Sequence, residues 1–331
     1  ATGKLFHHTI PSPFDITEEA SREASSDTRS MPNKGLTAHA MARAIRGFGL
    51  EPYTIRVSQD DFELKATVSA YLNCGIPPLL LIDLLEEVRP GEFEVFGKHA
   101  VAVTGFSAAK PSANPYGTTS FLSSSSRIDK LYVHDDGVGP FARMKFDSSV
   151  VNINTASGVI ARPLLSTSWM GPKTKTIGTV FAMPEILMVP LYHKIRIAFK
   201  DIFDCVVEFD SIVSAMRVTL PLSYSDPLEW DVYLDTVSSL KSELLGKGFK
   251  DLITKSLPKY IWRATGSVSG DSKIQLLFDA TDIGQGKNLI YVIEDDAELS
   301  ALLRAVANLP DARSNWASWR SWNILRWFRP T

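Results

Sequence analysis

Residues His99–Phe106 read HAVAVTGF and residues Ile128–His134 read IDKLYVH, and the fold turns on how these two stretches pair. Both are rich in β-branched residues and alternate in the manner of half-buried strands. Asp135–Phe141, DDGVGPF, supplies a turn at the end of the second. Between them lies Ser107–Ser126, dense in Ser, Pro, Ala, Thr and Gly, a composition that predicts a long exposed loop. If the strands are antiparallel neighbours and Phe106 faces Ile128, His99 falls opposite Asp135. Opposed residues have Cβ atoms about 4.5–5.5 Å apart, so the carboxylate can accept an imidazole N–H and fix its tautomer. That is the base–orienter half of a catalytic triad. A register slip brings Asp136 to the same place. A surface histidine beside an acidic turn satisfies the pattern with no chemistry at all.

Upstream, Leu36-Thr37 offers an apolar residue and a capping hydroxyl. Met41, Ala44, Ile45 and Phe48 follow at helical spacing, and Gly49 closes the helix. Asp15–Ser25 predicts a shorter polar helix capped by Asp15, Tyr53–Val57 a strand and Asp61–Leu72 a helix. Cys74–Leu81 is an apolar run suited to a strand buried on both faces. Downstream, Thr176–Val189 reads as strand and Leu191–Met216 as a long helix. Glu229–Thr236, Lys259–Thr265 and Lys273–Asp279 read as strands, and Asp295–Ala307 as a helix capped by Asp295 or Asp296.

HAVAVTGF, a variable insert and LYVHDDGVGPF together resemble the second half of a papain-like cysteine peptidase, in the bacterial branch of the double-glycine leader peptidases that process bacteriocins. GLTAHAMARAIRGFGLEP and YLNCGIPPLLLI resemble, respectively, the helix between nucleophile and histidine and the strand before the histidine strand. The resemblance covers Asp15–Phe146 and implies an α+β papain-like domain over residues 1–150. It also implies a peptide or protein substrate, with His99 as general base and Asp135 orienting it. Asp136 stands where that family has proline and is the rival for the orienting role. Residues 151–331 are expected to form a mixed α/β domain. The family's nucleophilic cysteine and oxyanion-hole glutamine have no counterpart in residues 1–35. Either that helix precedes Ala1, where the chain opens without methionine, or the chain is a catalytically inactive binding or scaffold relative. On both readings the chain as given has no peptidase activity.

Composition sets the outer limits. The 331 residues are 44% apolar and 22% charged, and 35 Lys+Arg against 37 Asp+Glu leave no electrostatic footprint for nucleic acid. Two cysteines, Cys74 and Cys205, make no disulfide framework and point to a reducing, cytoplasmic compartment. Both thiols read as structural: Cys74 heads a strand and Cys205 lies in the apolar run of a helix. No phosphate-binding glycine loop is present. Metal binding finds only His7-His8 and His134 with Asp135 and Asp136, so no cofactor or metal is expected. Trp316, Trp319, Trp322 and Trp327 sit among arginines at the C-terminus. They predict a helix over Asn315–Phe328 whose tryptophan face packs on the C-terminal domain or docks a membrane or protein partner.

Overall fold

The computed structural model describes residues 10–22, 35–57, 61–109, 113–155, 158–283, 288–309 and 319–329. In chain order the elements begin with α1 (Pro13–Ser21), α2 (Ala38–Gly47), β1 (Leu50–Arg56), α3 (Asp61–Leu72), β2 (Leu79–Arg89) and β3 (Glu92–Ala108). There follow β4 (Leu122–Ser123), β5 (Ile128–Asp135), β6 (Gly139–Thr155), β7 (Gly158–Thr167), β8 (Val180–Tyr192) and α4 (Phe199–Arg217). The chain continues through β9 (Glu229–Thr236), α5 (Val237–Leu244), α6 (Lys250–Thr254), β10 (Tyr260–Val268), β11 (Asp271–Asp279) and β12 (Leu289–Glu294). It ends with α7 (Ala297–Ala307) and α8 (Trp319–Leu325). Two compact units interleave along it. The first holds Ala1–Leu64, Gly75–Ser107 and Asp129–His193; the second holds Lys65–Cys74, Ala108–Ile128 and Lys194–Thr331. Residue 150, where the composition changes, lies inside β6 of the first unit.

The first unit corrects the expected α+β, partial papain-like fold. Its sheet runs β1-β8-β2-β3-β5-β6-β7, and β7 pairs again with β8 through Leu165↔Ala182 and Ser166↔Phe181. Six strands therefore close into an antiparallel barrel, with β1 paired outside it on β8. The barrel is hidden in the sequence because β6 carries polar Asp, Ser, Asn and Thr residues across Asp147–Thr155 that mask the strand period. Hidden too is that β8 is long enough to serve β1, β2 and β7 at once. Opposed residues share a face, so the register puts Leu80, Ile82, Val101, Val103, Leu131, Val133, Met144, Leu165 and Ala182 on one side. Each is at most 1% exposed. They are the barrel's core.

Local chemistry sets the helices of this unit. Ser12 caps α1 in a capping box with Asp15, and Pro13 occupies the first turn; Asp15 is thus the third helical residue and not the cap. Thr37 caps α2 by accepting from the Ala40 amide, and Gly49 leaves the helix at φ +77°. Cys74 lies in the turn before β2, whose strand begins only at Leu79.

The second unit is a mixed five-stranded sheet, β12-β11-β10-β9-β4, in which β4 runs parallel to β9 and the other pairs are antiparallel. The segment expected as a loop thus contributes β4 and a 3₁₀ turn, Ser124–Arg127; its residues 110–112 lie outside the described ones. One sheet face buries Trp230, Leu234, Trp262 and Ala264 completely. Both indoles spend their N–H groups, Trp230 on Asp210 Oδ1 at 2.8 Å and Trp262 on the Ile197 carbonyl at 3.0 Å. Helix α4 starts at Phe199, because β8 continues to Tyr192. In α8 and the turn after it the anchors are Ile324, Leu325 and Phe328. Trp322 lies half-buried under the Arg329 guanidinium and Trp327 stays 39% exposed beside Tyr291. Trp316 lies outside the described residues. Among the described residues no helix is long and apolar enough to cross a membrane.

Burial pushes the Asp210 carboxyl up to about 6, against the pull of the Trp230 indole, Arg217 and the Ser214 hydroxyl. The folded state therefore holds this proton more tightly than the unfolded chain, whose carboxyl titrates near 3.8. That contribution is complete below the unfolded value and is lost as pH rises through about 6. Asp210→Asn keeps an acceptor for Trp230 and removes the ionisation. The variant is expected to match the wild type near pH 4 and to exceed it by about 1–3 kcal/mol at pH 7.5 in denaturant titrations. A stability difference of equal size at both pH values contradicts the assignment.

Candidate active site

The inward rows of β3 and β5 end at the same mouth of the barrel. On β3 the row runs Val103, Val101, His99, and on β5 it runs Leu131, Val133, Asp135. The two polar residues meet there: His99 Nε2 lies 2.5 Å from Asp135 Oδ2. The two residues that the antiparallel register sets opposite one another are thus in hydrogen-bonding contact. The rival carboxylate, Asp136, has its Oδ1 3.5 Å from the same nitrogen and a side chain 89% exposed, whereas the Asp135 side chain is 4% exposed.

The turn expected at DDGVGPF is what makes Asp135 rigid. Its Oδ1 accepts the amide N–H groups of Gly137 at 2.9 Å and Val138 at 2.6 Å, and Gly139 re-enters the sheet at φ +110°, which suits glycine alone. One carboxylate oxygen holds the turn and the other holds the imidazole. A carboxylate oxygen accepts, so Nε2 carries the proton and the neutral ring keeps its lone pair on Nδ1. Asp135 engages Nε2 and leaves Nδ1 without a contact to it.

Two residues of the mouth were invisible in the sequence. Trp169, just after β7, packs edge-on against the His99 ring with centroids 5.7 Å apart. Its indole N–H is buried without a hydrogen-bond partner among the described residues. Glu86, only 1% exposed, accepts the Lys173 and Thr174 amides and so holds the loop that carries Trp169. Gly171 is required there, because a Cβ would stand 2.2 Å from Glu86 Oε1. Neither residue belongs to a recognisable motif; only the closed barrel places Trp169 beside His99 and Glu86 on the loop behind it.

Beside the dyad opens a cleft of about 510 Å³ lined by Thr37, Met41, Leu81, Lys98, His99 and Asp136 among others. It lies between the start of α2 and strands β2, β3 and β8. Lys98 is paired with Asp83 at 3.0 Å on its wall. Donor atoms of His99, Asp135 and Asp136 all lie within 4.8 Å of one another. The 2.5 Å separation of Nε2 and Oδ2 is a hydrogen bond. Two ligands on a tetrahedral ion at about 2.0–2.2 Å stand about 3.3 Å apart, so the pair must open to take one. His134 faces outward, edge-on to Phe141; His7 and His8 lie outside the described residues.

Both cysteines belong to the second unit. Cys205 is buried in α4. Burial, with the Asp235 charge adding to it, pushes the Cys74 thiol up to about 11, the opposite of an activated nucleophile. The unit that holds His99 and Asp135 contains no cysteine.

Two measurements check this arrangement. In Asp135→Asn the side chain cannot accept from both His99 and the turn amides without turning an N–H₂ toward one of them. Nitrogen-15 spectra of His99 are expected to show the Nε2–H tautomer in the wild type and to lose its predominance in the variant. Unchanged spectra contradict the bond. For Glu86, desolvation raises the carboxyl pKa, but the Thr174 and Lys173 hydrogen bonds and the Lys173 charge outweigh it and hold it below the usual range. The loop's anchorage is thus complete above the unfolded carboxylate value and is lost as pH falls through the lower folded one. Amide exchange at Lys173 and Thr174 is expected to accelerate at neutral pH in Glu86→Gln, and in the wild type only on acidification.

No family model matches the chain, and neither the curated proteins nor the solved structures contain a significant match to it.

Proposed function

We propose that the first unit is the acid–base half of a hydrolase of cysteine-peptidase type, acting by thiol acyl transfer on a peptide or amide bond. The observation that carries the reading is the His99–Asp135 contact at 2.5 Å, at the edge of an open cleft. In this scheme His99 Nδ1 takes the proton of a thiol, the thiolate attacks the carbonyl carbon, and the imidazolium returns the proton to the leaving amine. Water then releases the acyl group, again with His99 as base. Asp135 fixes the ring and stabilises its charged form. Trp169 covers one side of the ring and Glu86 fixes Trp169. The thiol has no counterpart in this unit, so the chain of 331 residues turns over no peptide by itself.

The base is testable without the nucleophile. With p-nitrophenyl acetate and added 2-mercaptoethanol, the wild type is expected to accelerate thiolysis, His99→Ala to abolish the acceleration, and Asp135→Asn to reduce it about 10–100-fold. Rates equal in wild type and His99→Ala overturn the reading. Iodoacetamide is expected to label neither cysteine preferentially in the folded chain. Rapid alkylation of Cys74 that disappears in His99→Ala makes Cys74 the nucleophile instead.

A further inference from the structure

In the second unit the sheet face opposite α4 is only half covered. Helices α5 and α6 pack Leu240, Leu244 and Leu252 onto Ile261, Leu277 and Ile293. The rest of that face carries the polar residues Asp231, Arg263, Thr265 and Gln275. The register sets Thr265 opposite Asp231 and Arg263 opposite Tyr233, with Gln275 on the next strand beside Thr265. Over this floor opens a cleft of about 390 Å³, walled by Ser124 and Arg127 on one side and Glu243 on the other.

Its charges are mostly spent on each other, in fixed positions. Arg127 pairs with Glu229. Arg263, 3% exposed, gives Nη1–H to Asp235 at 3.0 Å and Glu243 at 2.7 Å and Nη2–H to Gln275 at 3.0 Å. Its Nε–H is buried without a partner among the described residues, and such a group is costly to leave unmade. Asp231 accepts one bond, from the Ser124 hydroxyl at 3.0 Å. Burial raises the Asp231 pKa. Thr265, Ser267 and Ser272 add hydroxyls around the floor.

This lining selects by elimination. An anion meets Asp231, Glu229 and Glu243; a cation meets Arg127 and Arg263. An apolar ligand strands the whole set of donors and acceptors. A neutral ligand that donates and accepts through several hydroxyls satisfies both kinds of group, and the three bonds on Arg263 preorganise its guanidinium for that purpose. We propose that this cleft is a carbohydrate subsite, taking a neutral sugar ring with Asp231 as acceptor and Arg263 Nε–H and the Thr265 hydroxyl as further partners. The site lies wholly within the second unit and does not depend on the reading of His99.

The test uses the full chain with glucose, galactose, mannose, xylose and N-acetylglucosamine as probes, read by saturation-transfer NMR and calorimetry. At least one is expected to bind in the wild type and in His99→Ala. Affinity is expected to fall at least tenfold in Asp231→Ala and in Thr265→Val, with melting curves showing both variants folded. Absence of binding by all five sugars overturns the proposal, as does binding unchanged in both variants. So does tighter, Asp231-dependent binding of spermidine, or tighter binding of inorganic phosphate, in the same cleft.

Discussion

A sheet of alternating strands has two edges unless its last strand finds its first, and in the first unit β8 makes that join. It pairs with β2 over eight residues, from Leu79↔Met188 to Glu86↔Val180, and with β7 through two. Closure removes the open ladder that an edge strand presents to other chains. It also decides which side of every strand is inside. Each inward row is apolar through the barrel and turns polar only at one mouth: Val101 to His99, Val133 to Asp135, and Val180 beside Glu86. The dyad is therefore a consequence of where the apolar rows stop. Thirty-six residues separate His99 from Asp135 in sequence, yet neither strand is free to move the pair apart while the ladder holds.

Asp135 shows how such a site is kept ordered. A carboxylate 4% exposed is expensive unless its lone pairs are used. Two backbone amides use one oxygen and the imidazole uses the other. The turn cannot loosen without releasing the histidine's partner, and the histidine cannot turn without exposing an unpaired oxygen. The same economy recurs at Glu86, whose carboxylate takes three hydrogen bonds from two amides of the loop behind Trp169. At one mouth of the barrel, then, two buried carboxylates fix two loops, and each loop or strand end brings one ring to the other.

How much of this was legible follows from the range over which each signal acts. The strands of HAVAVTGF and IDKLYVH could be read because alternation is local, and the DDG turn because Asp and Gly act within four residues. From those two facts alone His99 and Asp135 could be set opposite one another, and the choice of Asp135 over Asp136 rests on which one continues the inward row. The barrel could not be read. It depends on Leu165 finding Ala182 across a loop, and no local period announces that pairing. The α+β architecture implied by the family resemblance is overturned by the closed barrel, because strand patterns survive in many arrangements of strands. Trp169 and Glu86 stayed hidden for a related reason: a single tryptophan or glutamate has no period, and its meaning is the company that closure gives it. The segment at Ser107–Ser126 misled in the opposite way, since small polar residues also suit a short strand and a 3₁₀ turn when β9 offers a ladder.

The two units contrast in how they leave polar groups unsatisfied. In the barrel, the described mouth leaves one buried donor without a partner, Trp169 Nε1, and places it on the ring that packs against His99. In the second unit Arg263 has three partners on its Nη atoms and a buried Nε without one among the described residues, on a face where the apolar cover of α5 and α6 stops at Leu277. Apolar cover at either place is the cheaper solution by the ordinary rules of burial, since both sit beside residues that are completely buried. A fold that buries Trp230, Trp262 and the barrel core to at most 1% exposure has no shortage of apolar side chains to place there. The two donors are left over where the surrounding groups are already committed, to the His99 ring packed on Trp169 at one mouth and to the charge-paired, hydroxyl-rich floor on the other sheet.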